Sequence, residues 1–547
     1  MQKALRIITG VLLVAVLVSA LLAGGQQAGG ETTTGGTPED NFNATGFPIV
    51  DEKITLTVFA GQPPYVENFD TNWFVTMYEE LTNIHVDWEA VPRGSLDEKK
   101  NLVFASGDYP DIFLGANLTQ DEDMLYGSQG VLIPLNDLID NYAYNILNAF
   151  EEQPWARPVI TTPDGNIYSI PQIGRAFHTL YPDKFWINEV WLQNVGMEMP
   201  KTTDELYKVL KAFKTQDPNG NGKADEYPLT TQRDESHLNF IMNAFILTDP
   251  SHYLVVNDGK VDLVADKPEY RDGIRYLHML YEEGLLDVEA FTRDNDQLRQ
   301  IAQNAEGSMV GAFPSLTFGS VTGIRGTSPN AEEYTWVPPI KGPEGEQWAV
   351  YEPFQYNNGK FAITMECAYP EAAIRWVDYG FTEEGWIRIK FGEPGVDWDT
   401  ADEGANGTRG KPAKYKFPEN LRKQSQLQNK HMRHVFPVYQ TWDMHESFTA
   451  EGKETEVILI KATMDYDGYE MPEVYPPVYL TKEQVGEIVH IKTALMDAIE
   501  ENRARFIVGD LDIEKDWEQY VKSLQAMGRD RYVEIYQQAY DVFRENQ

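Results

Sequence analysis

The stretch Asn101-Leu102-Val103-Phe104-Ala105-Ser106-Gly107-Asp108-Tyr109-Pro110-Asp111-Ile112-Phe113-Leu114 runs from helix to strand. Leu102, Val103 and Phe104 belong to an apolar helical stretch beginning near Leu96 and ending at Ala105. Ser106-Gly107-Asp108 breaks it, and Asp111–Leu114 reads as a short buried strand. Working upstream, Lys53–Phe59 alternates as a strand. Trp73–Thr82 has Trp73, Met77 and Leu81 along one helical face, and Ile84–Trp88 is a second strand. This β-α-β-α-β alternation predicts a parallel α/β unit.

Downstream, Val131–Leu135 and Ile167–Pro171 add short extended pieces. Trp186–Val195, Thr203–Thr215, Tyr270–Glu283 and Leu298–Ala305 read as helices, Thr202-Thr203-Asp204-Glu205 supplying a capping signal for the second. Ser308–Phe313 and Lys360–Met365 read as strands, and Pro370 opens a helix to Tyr379. Helical runs at Lys482–Asn502 and Ile513–Phe543 close the chain. A body of about 500 residues exceeds one core, so at least two lobes are expected.

Residues 1–24 have the form of an export signal: Lys3 and Arg6, then an uncharged apolar run from Ile7 to Ala23, with small residues at Ser19-Ala20 and Ala23-Gly24. The competing reading is an uncut membrane anchor. Leu21-Leu22-Ala23-Gly24 is similar to a bacterial lipobox, but Gly25 stands where the lipidated cysteine would be, and the single cysteine is Cys367. Residues 25–48, rich in Gly, Thr and Gln, read as a flexible tether with a span on the order of 25–30 Å. With a single Cys, no disulfide framework is available. A net charge of −39 argues against nucleic acid or an anionic membrane as partner.

Asp217-Pro218-Asn219-Gly220-Asn221-Gly222-Lys223-Ala224-Asp225-Glu226 places side-chain oxygens at relative positions 1, 3, 5, 9 and 10 with glycine at 6. That is the ligand spacing of a calcium loop. Pro228 occupies position 12, where an EF-hand carries its bidentate Glu, so Glu226 is the replacement carboxylate. Asp217, Asn219, Asn221, the Lys223 carbonyl, Asp225 and Glu226 form an all-oxygen set suited to Ca²⁺ rather than Zn²⁺. The site reads as structural, because no nucleophile or base lies nearby in sequence. The competing reading is a Gly/Asn-rich surface turn.

The Ala105–Ile112 segment closely resembles the "ASGD-x-PDI" signature of bacterial extracellular solute-binding proteins of carbohydrate ABC importers. Glu80–Val86, Lys341-Gly342-Pro343-Glu344-Gly345, Phe391–Trp398 and the terminal Trp517–Val521 and Tyr536–Asp541 runs resemble further family segments in order. The resemblance spans about residues 50–547. It implies a two-lobed α/β fold of the periplasmic-binding-protein type II, with the ligand in the cleft. The implied partition is lobe 1 over 49–172 and 345–455, and lobe 2 over 173–344 and 456–547. It also implies capture of a carbohydrate, an oligosaccharide, by lobe closure and delivery to ABC permease subunits, the protein acting as a monomer. Larger members, including alginate-binding proteins, carry a calcium loop of this form. Asn188–Gly196 resembles a further family segment, in which Asn188 and Val190 replace the family's usual Arg and Asp.

Clefts between lobes and the carboxyl ends of parallel strands bind ligands. That placement selects Trp73, Asn117, Gln172, Arg175, Phe313 and Trp398 as candidate contacts, aromatic platforms beside polar donors suiting sugars. Each aromatic has ordinary core packing as its competing reading, and Arg175 a surface ion pair. The rival function is a secreted carbohydrate-active enzyme, which needs two opposed carboxylates. Glu79-Glu80 and Glu383-Glu384 lie in helical, solvated stretches and do not supply them. No HExxH or GxSxG is present, and His431 and His434 read as surface residues. A surface adhesion protein is disfavoured by the lack of repeats.

Overall fold

Alternating burial along Ile54–Leu56 and full burial of Ile112–Leu114 set the frame of the first of two sheets. The computed structural model describes residues 41–232, 238–249, 251–323, 325–326, 328–418, 429–451 and 453–545, so the export signal and most of the tether lie outside the described residues. The body begins at Phe42. Its strands are β1 (Ile54–Gln62), β2 (Ile84–Pro92), β3 (Ile112–Leu114), β4 (Ile170–Ile173), β5 (Phe185–Asn188), β6 (Tyr227–Leu229), β7 (Leu254–Asn257), β8 (Lys260–Leu263), β9 (Val310–Pro314), β10 (Tyr334–Val337) and β11 (Tyr356–Ile363). Short strands Asp399–Thr400 and Tyr415–Lys416 pair with each other.

The first sheet has the order β2-β1-β3-β11-β4. β1 runs parallel to β2 and β3, and β11 is antiparallel to both β3 and β4. The second sheet has the order β10-β5-β9-β6, in which only β6 and β9 are parallel. β7 and β8 form a separate hairpin.

Both sheets are covered on both faces, as the period-2 geometry of strands allows. In the first, Val58, Ala60, Ile112 and Leu114 enter a large core with Phe74, Tyr78, Ile374 and Trp386. Phe59 and Phe113 enter a smaller one with Phe104 and Tyr168. In the second, Phe185, Ile187 and Ala312 join the largest core, which extends to Leu495, Tyr532 and Tyr540 in the C-terminal helices. Trp186, Phe313 and Tyr334 pack on the other face.

The predicted helices over Trp73–Thr82 and Thr203–Thr215 occur with those bounds. Asn72 caps the first by accepting from the Phe74 and Val75 amides, and Thr202 caps the second by accepting from the Glu205 amide. The predicted helix over Trp186–Val195 is corrected. Its first residues are strand β5, and the helix is only Glu189–Asn194. Phe185–Asn188 is buried on both sides in mid-sheet, and a continuous apolar run does not distinguish strand from helix. The single run over Ile513–Phe543 is two helices, Trp517–Ala526 and Arg529–Glu545, broken at Gly528 with φ +99°. Val131–Leu135 forms an isolated bridge, Leu132 with Thr364, rather than a strand.

The chain passes repeatedly between the two sheets, and polar contacts fix the passages. Asp123, fully buried, accepts from Ser169 Oγ (2.7 Å), Asn358 Nδ2 (2.8 Å) and Tyr479 Oη (2.9 Å). Burial pushes its carboxyl up to about 7 despite those bonds. On another passage His178 Nδ1 lies 2.9 Å from Glu456 Oε1. Burial alone would raise Glu456, but the His178 hydrogen bond and the surrounding positive charge hold it at about 2. Gly174, at φ +83°, sits where an added Cβ would lie 1.8 Å from the Gln440 carbonyl oxygen.

Gly174→Ala is expected to destabilise the protein by more than about 2 kcal/mol, read as a fall in the denaturant midpoint, because both the positive φ and the missing space oppose a methyl group. Glu456, depressed in the folded state, contributes stability that is present above its unfolded value and lost as pH falls toward about 2. Between pH ~4.5 and ~2 the wild type should lose on the order of 3 kcal/mol more than Glu456→Gln, measured by denaturant titration at stepped pH.

Candidate functional site

Four strand segments of the first sheet point their ends toward one edge. β2 ends at Pro92 and delivers Arg93, which is exposed. β3 ends at Leu114 and continues through Gly115 to Asn117, an exposed residue at φ +53°. β4 carries Gln172 and leads into Gly174 and Arg175. β11 arrives from the opposite direction and places Lys360 level with the end of β3, its carbonyl accepting from the Gly115 amide at 2.7 Å. A bulge between Asn357 and Phe361 shifts the β11–β4 register there. Gly359 allows it: at φ +60°, with the Leu118 backbone 2.2 Å from any added Cβ, no other residue fits.

A further segment, 429–440, lies across this edge. Ile173 donates to the Val438 carbonyl at 3.0 Å, and Gln440 donates to the Ile173 carbonyl at 2.9 Å. Val435 stands over Gly115. His434, exposed at φ +65°, turns its carbonyl toward Lys360. Lys360 Nζ donates to Asn117 Oδ1 at 2.5 Å and to that carbonyl at 3.4 Å. Burial, with Arg93 adding repulsion, lowers the Lys360 ammonium to about 8. Partial withdrawal of the ring from water and then Lys390, Arg433, Arg93 and Lys360 push His434 down to about 3.

Asn117, Gln172 and Arg175 are therefore brought to one edge. Gln172 is buried, its Nε2 donating to the Gly174 carbonyl at 3.3 Å. Arg175 is partly exposed and pairs with Glu352 at 3.0 Å. Trp73 adjoins the same region: half-buried, it packs on the first-sheet core and donates its backbone N–H to the Asn429 carbonyl at 3.2 Å. Phe313 lies elsewhere, fully buried in the second sheet with its ring 5.3 Å from that of Tyr334. Trp398 lies beside Phe391-Gly392, which border the 429–440 segment, and not at the strand ends themselves. It is half-buried against the first-sheet core, with Nε1 donating to the Gly392 carbonyl at 2.9 Å and Tyr415 edge-on at 5.4 Å.

His431 corrects its surface assignment. It is buried, with its ring 4.9 Å from Tyr65. The sequence reading also passed over Arg93, Lys360, Lys390 and Arg433. The one local signal was Lys360 opening an otherwise apolar strand, Lys360–Ile363.

Beyond this edge, the inter-sheet passages carry a mixed polar and aromatic lining. The Arg409 guanidinium lies 4.4 Å over the Phe177 ring, and Trp442 meets the same ring edge-on at 5.2 Å. Trp442 Nε1 donates to Gln355 Oε1 at 3.1 Å, and Gln355 Nε2 donates to Thr179 Oγ1 at 2.8 Å. Such rings beside fixed amides offer C–H faces and hydrogen-bond partners together.

The Asp217–Glu226 loop directly follows the Thr203–Thr215 helix. Asp217 adopts φ +46°, and its carboxylate oxygens accept from the Asn221 and Gly222 amides at 3.1 and 3.0 Å. Asn221 Oδ1 accepts from the Lys223 amide at 2.7 Å. Asn221 Nδ2 donates to both Asp225 oxygens, at 3.0 and 3.3 Å, and this bond comes first in lowering the Asp225 carboxyl. Glu226 is raised by burial first, and the charges of Asp225 and Asp217 add to it. Its Oε1 is buried without a hydrogen-bond partner. Among the described residues no group of three or more His, Cys, Asp or Glu side chains is gathered for a metal ion. The donor set here is mixed, with amide and carbonyl oxygens beside the carboxylates, and the orphaned, charge-crowded Glu226 oxygen fits a hard cation.

Residues 61–385 match the family model of the bacterial extracellular solute-binding proteins. The chain is 31% identical over 528 residues to the fructooligosaccharide ABC transporter substrate-binding protein FusA of Streptococcus pneumoniae serotype 4 (strain ATCC BAA-334 / TIGR4), covering 94% of this chain and 95% of the relative. The solved structure of S. pneumoniae FusA in complex with kestose superposes with TM-score 0.74 at 30% identity, covering 90% of this chain and 100% of that one. A FusA EF-hand mutant in complex with fructo-nystose gives TM-score 0.74 at 29% identity with the same coverage. The alginate-binding protein AlgQ2 without calcium ion gives TM-score 0.67 at 26% identity, covering 91% and 100%. Neighbours of this kind are two-lobed substrate-binding proteins, and the two sheets described above are the cores of such lobes. The chain belongs to the bacterial extracellular solute-binding protein family.

Proposed function

We propose that this protein is the extracellular substrate-binding component of an ABC importer, capturing an oligosaccharide between its lobes and presenting it to membrane permease subunits. The observation that carries this reading is the edge of the first sheet. Asn117, Gln172, Arg175 and Lys360 converge there beside segments that pass between the sheets. The relation to FusA, a fructooligosaccharide-binding protein, supports the ligand class. Lobe 1 comprises about residues 49–172 and 345–455, and lobe 2 about 173–344 and 456–547. Trp73 adds an aromatic face at the margin of the first-lobe site, and Trp398 and Phe313 stand behind the surface as packing. A ligand that contacts both lobes binds the closed arrangement more tightly than the open one and shifts the population toward it. No bond in the solute needs to break. Residues 1–24 serve as the export signal and residues 25–48 as a flexible tether, with Gly25 where a lipidated cysteine would stand.

We also infer a structural Ca²⁺ in the Asp217–Glu226 loop, held by Asp217, Asn219, Asn221, the Lys223 carbonyl, Asp225 and Glu226. The buried, unpartnered Glu226 Oε1 and the existence of an EF-hand mutant of the FusA relative support it. The ion would neutralise the carboxylates and fix the loop between the Thr203–Thr215 helix and β6.

A thermal-shift screen of the purified chain against oligosaccharides should find one that raises Tm, contributing about 2.7 kcal/mol at a hundredfold excess over Kd. Mass spectrometry should recover that sugar intact. Cleaved product would replace the binding role with a hydrolytic one. Excess chelator should lower Tm and added Ca²⁺ restore it, and Glu226→Gln combined with Asp217→Asn should abolish the response. An unchanged melting curve in chelator, with no bound metal by mass spectrometry, would reduce the loop to a turn.

A further inference from the structure

The edge of the first sheet gathers cations in a chain whose net charge is −39, some of them paired, as Arg175 is with Glu352 and Lys430 with Glu393, and others not. Lys360 is fixed there by Asn117 and the His434 carbonyl. Arg433, on the adjoining segment, donates Nη2 to the Lys390 carbonyl at 3.1 Å and lies 5.1 Å over the Phe391 ring, while its Nε is buried without a partner. Lys390 Nζ reaches only the neutral Gln440 side-chain oxygen. Tyr65 Oη donates to the Arg433 carbonyl at 2.6 Å and holds that residue in place.

Several other cations are ion-paired, Arg293 with Asp287 and Glu289, Arg529 with Asp262 and Asp266, Lys100 with Glu122, while Lys184, Arg375 and Arg503 each donate to neutral oxygens. Among the described residues no carboxylate forms an ion pair with Lys360, Lys390 or Arg433. The charged groups acting on Lys360, Lys390 and His434 are Arg93, Arg433, Lys453 and one another, all cationic or, like His434 itself, basic. Withdrawing such groups from water costs free energy that an incoming anion would offset. The residues flanking Lys360, Asn117 and His434, are both held at positive φ, a conformation that non-glycine residues keep where surrounding structure enforces it. Arg93 and His434 are exposed, so the cluster opens to solvent rather than closing inside the core.

We propose that Arg93, Lys360, Lys390 and Arg433 form an anion subsite on the first-lobe face of the cleft, and that the captured oligosaccharide carries an oxyanion, a uronate carboxylate or an ester phosphate, on the sugar unit seated there. Arg93 and Arg433 supply guanidinium donors, Lys360 supplies an ammonium positioned by Asn117, and the Arg433 guanidinium rests over the Phe391 ring. The subsite rests on the importer reading above and narrows it from oligosaccharides in general to acidic ones.

The test is isothermal titration of the full chain with trigalacturonate, its methyl ester, sucrose 6-phosphate and the neutral trisaccharide kestose. Trigalacturonate or sucrose 6-phosphate should bind at least about tenfold tighter than the methyl ester and kestose, as charge-assisted hydrogen bonds require, and the one that does identifies the oxyanion. That binding should weaken as salt rises from about 50 to about 500 mM. Lys360→Gln should reduce it about tenfold or more, and so should Arg93→Gln, whose exposed position leaves folding intact. Equal or tighter binding of a neutral sugar overturns the anion subsite and leaves the importer role standing. Failure of every carbohydrate in this set and in the broader screen overturns both.

Discussion

Strand β11 is the constraint on which the arrangement depends. It lies between β3 and β4, antiparallel to both, so the first sheet cannot close until the chain has left it, built the second sheet and returned. The inter-lobe passages are a topological consequence of that insertion. So is the position of Lys360, since the only strand running against its parallel neighbours carries its early residues to the edge where theirs end. The bulge at Gly359 completes the effect by detaching the register beside β4 just before Lys360. A backbone requirement at one glycine thus sets where a cation stands relative to Asn117.

Charge is distributed on a different logic from apolar burial. The acidic excess is spread over solvated faces and paired with Lys and Arg across much of the body, whereas the first-sheet edge is a local inversion of sign. A field of that shape concentrates attraction for an anion in one place while the bulk repels it elsewhere. The calcium-type loop instead follows the sign of the bulk: Asp225 and Asp217 act on Glu226, one of whose carboxylate oxygens has no donor.

Much of the first lobe was legible because its segments obey one rule at a time. Helices with clean caps, such as those following Asn72 and Thr202, and strands with alternation or bounded apolar runs carry their own signals. Phe185–Asn188 did not, since four buried residues preceding a helix have no periodicity separating them from it. Phe313 and Trp398 were chosen because they end strand-like stretches, but whether a strand-end aromatic faces a cleft or a core depends on what lies across from it. For Phe313 that is Tyr334, placed by a strand more than twenty residues later. The cation cluster was hidden for a similar reason. Arg93, Lys360, Lys390 and Arg433 come from four separate segments, the first of them hundreds of residues from the rest, and each alone is an unremarkable surface-type residue. His431 looked polar enough for solvent, yet Tyr65 and the loop before Trp73 cover it.

The Asp123 knot has a mechanical meaning. Its carboxyl joins Ser169 just before β4, Asn358 in β11 and Tyr479 in the chain leading to the C-terminal helices, and Phe543 of the last helix packs into the first-sheet core. Three stretches of chain far apart in sequence are thereby tied at one buried group. Since burial lifts the Asp123 carboxyl to about 7, gain or loss of a proton near neutral pH falls on the very group that ties them.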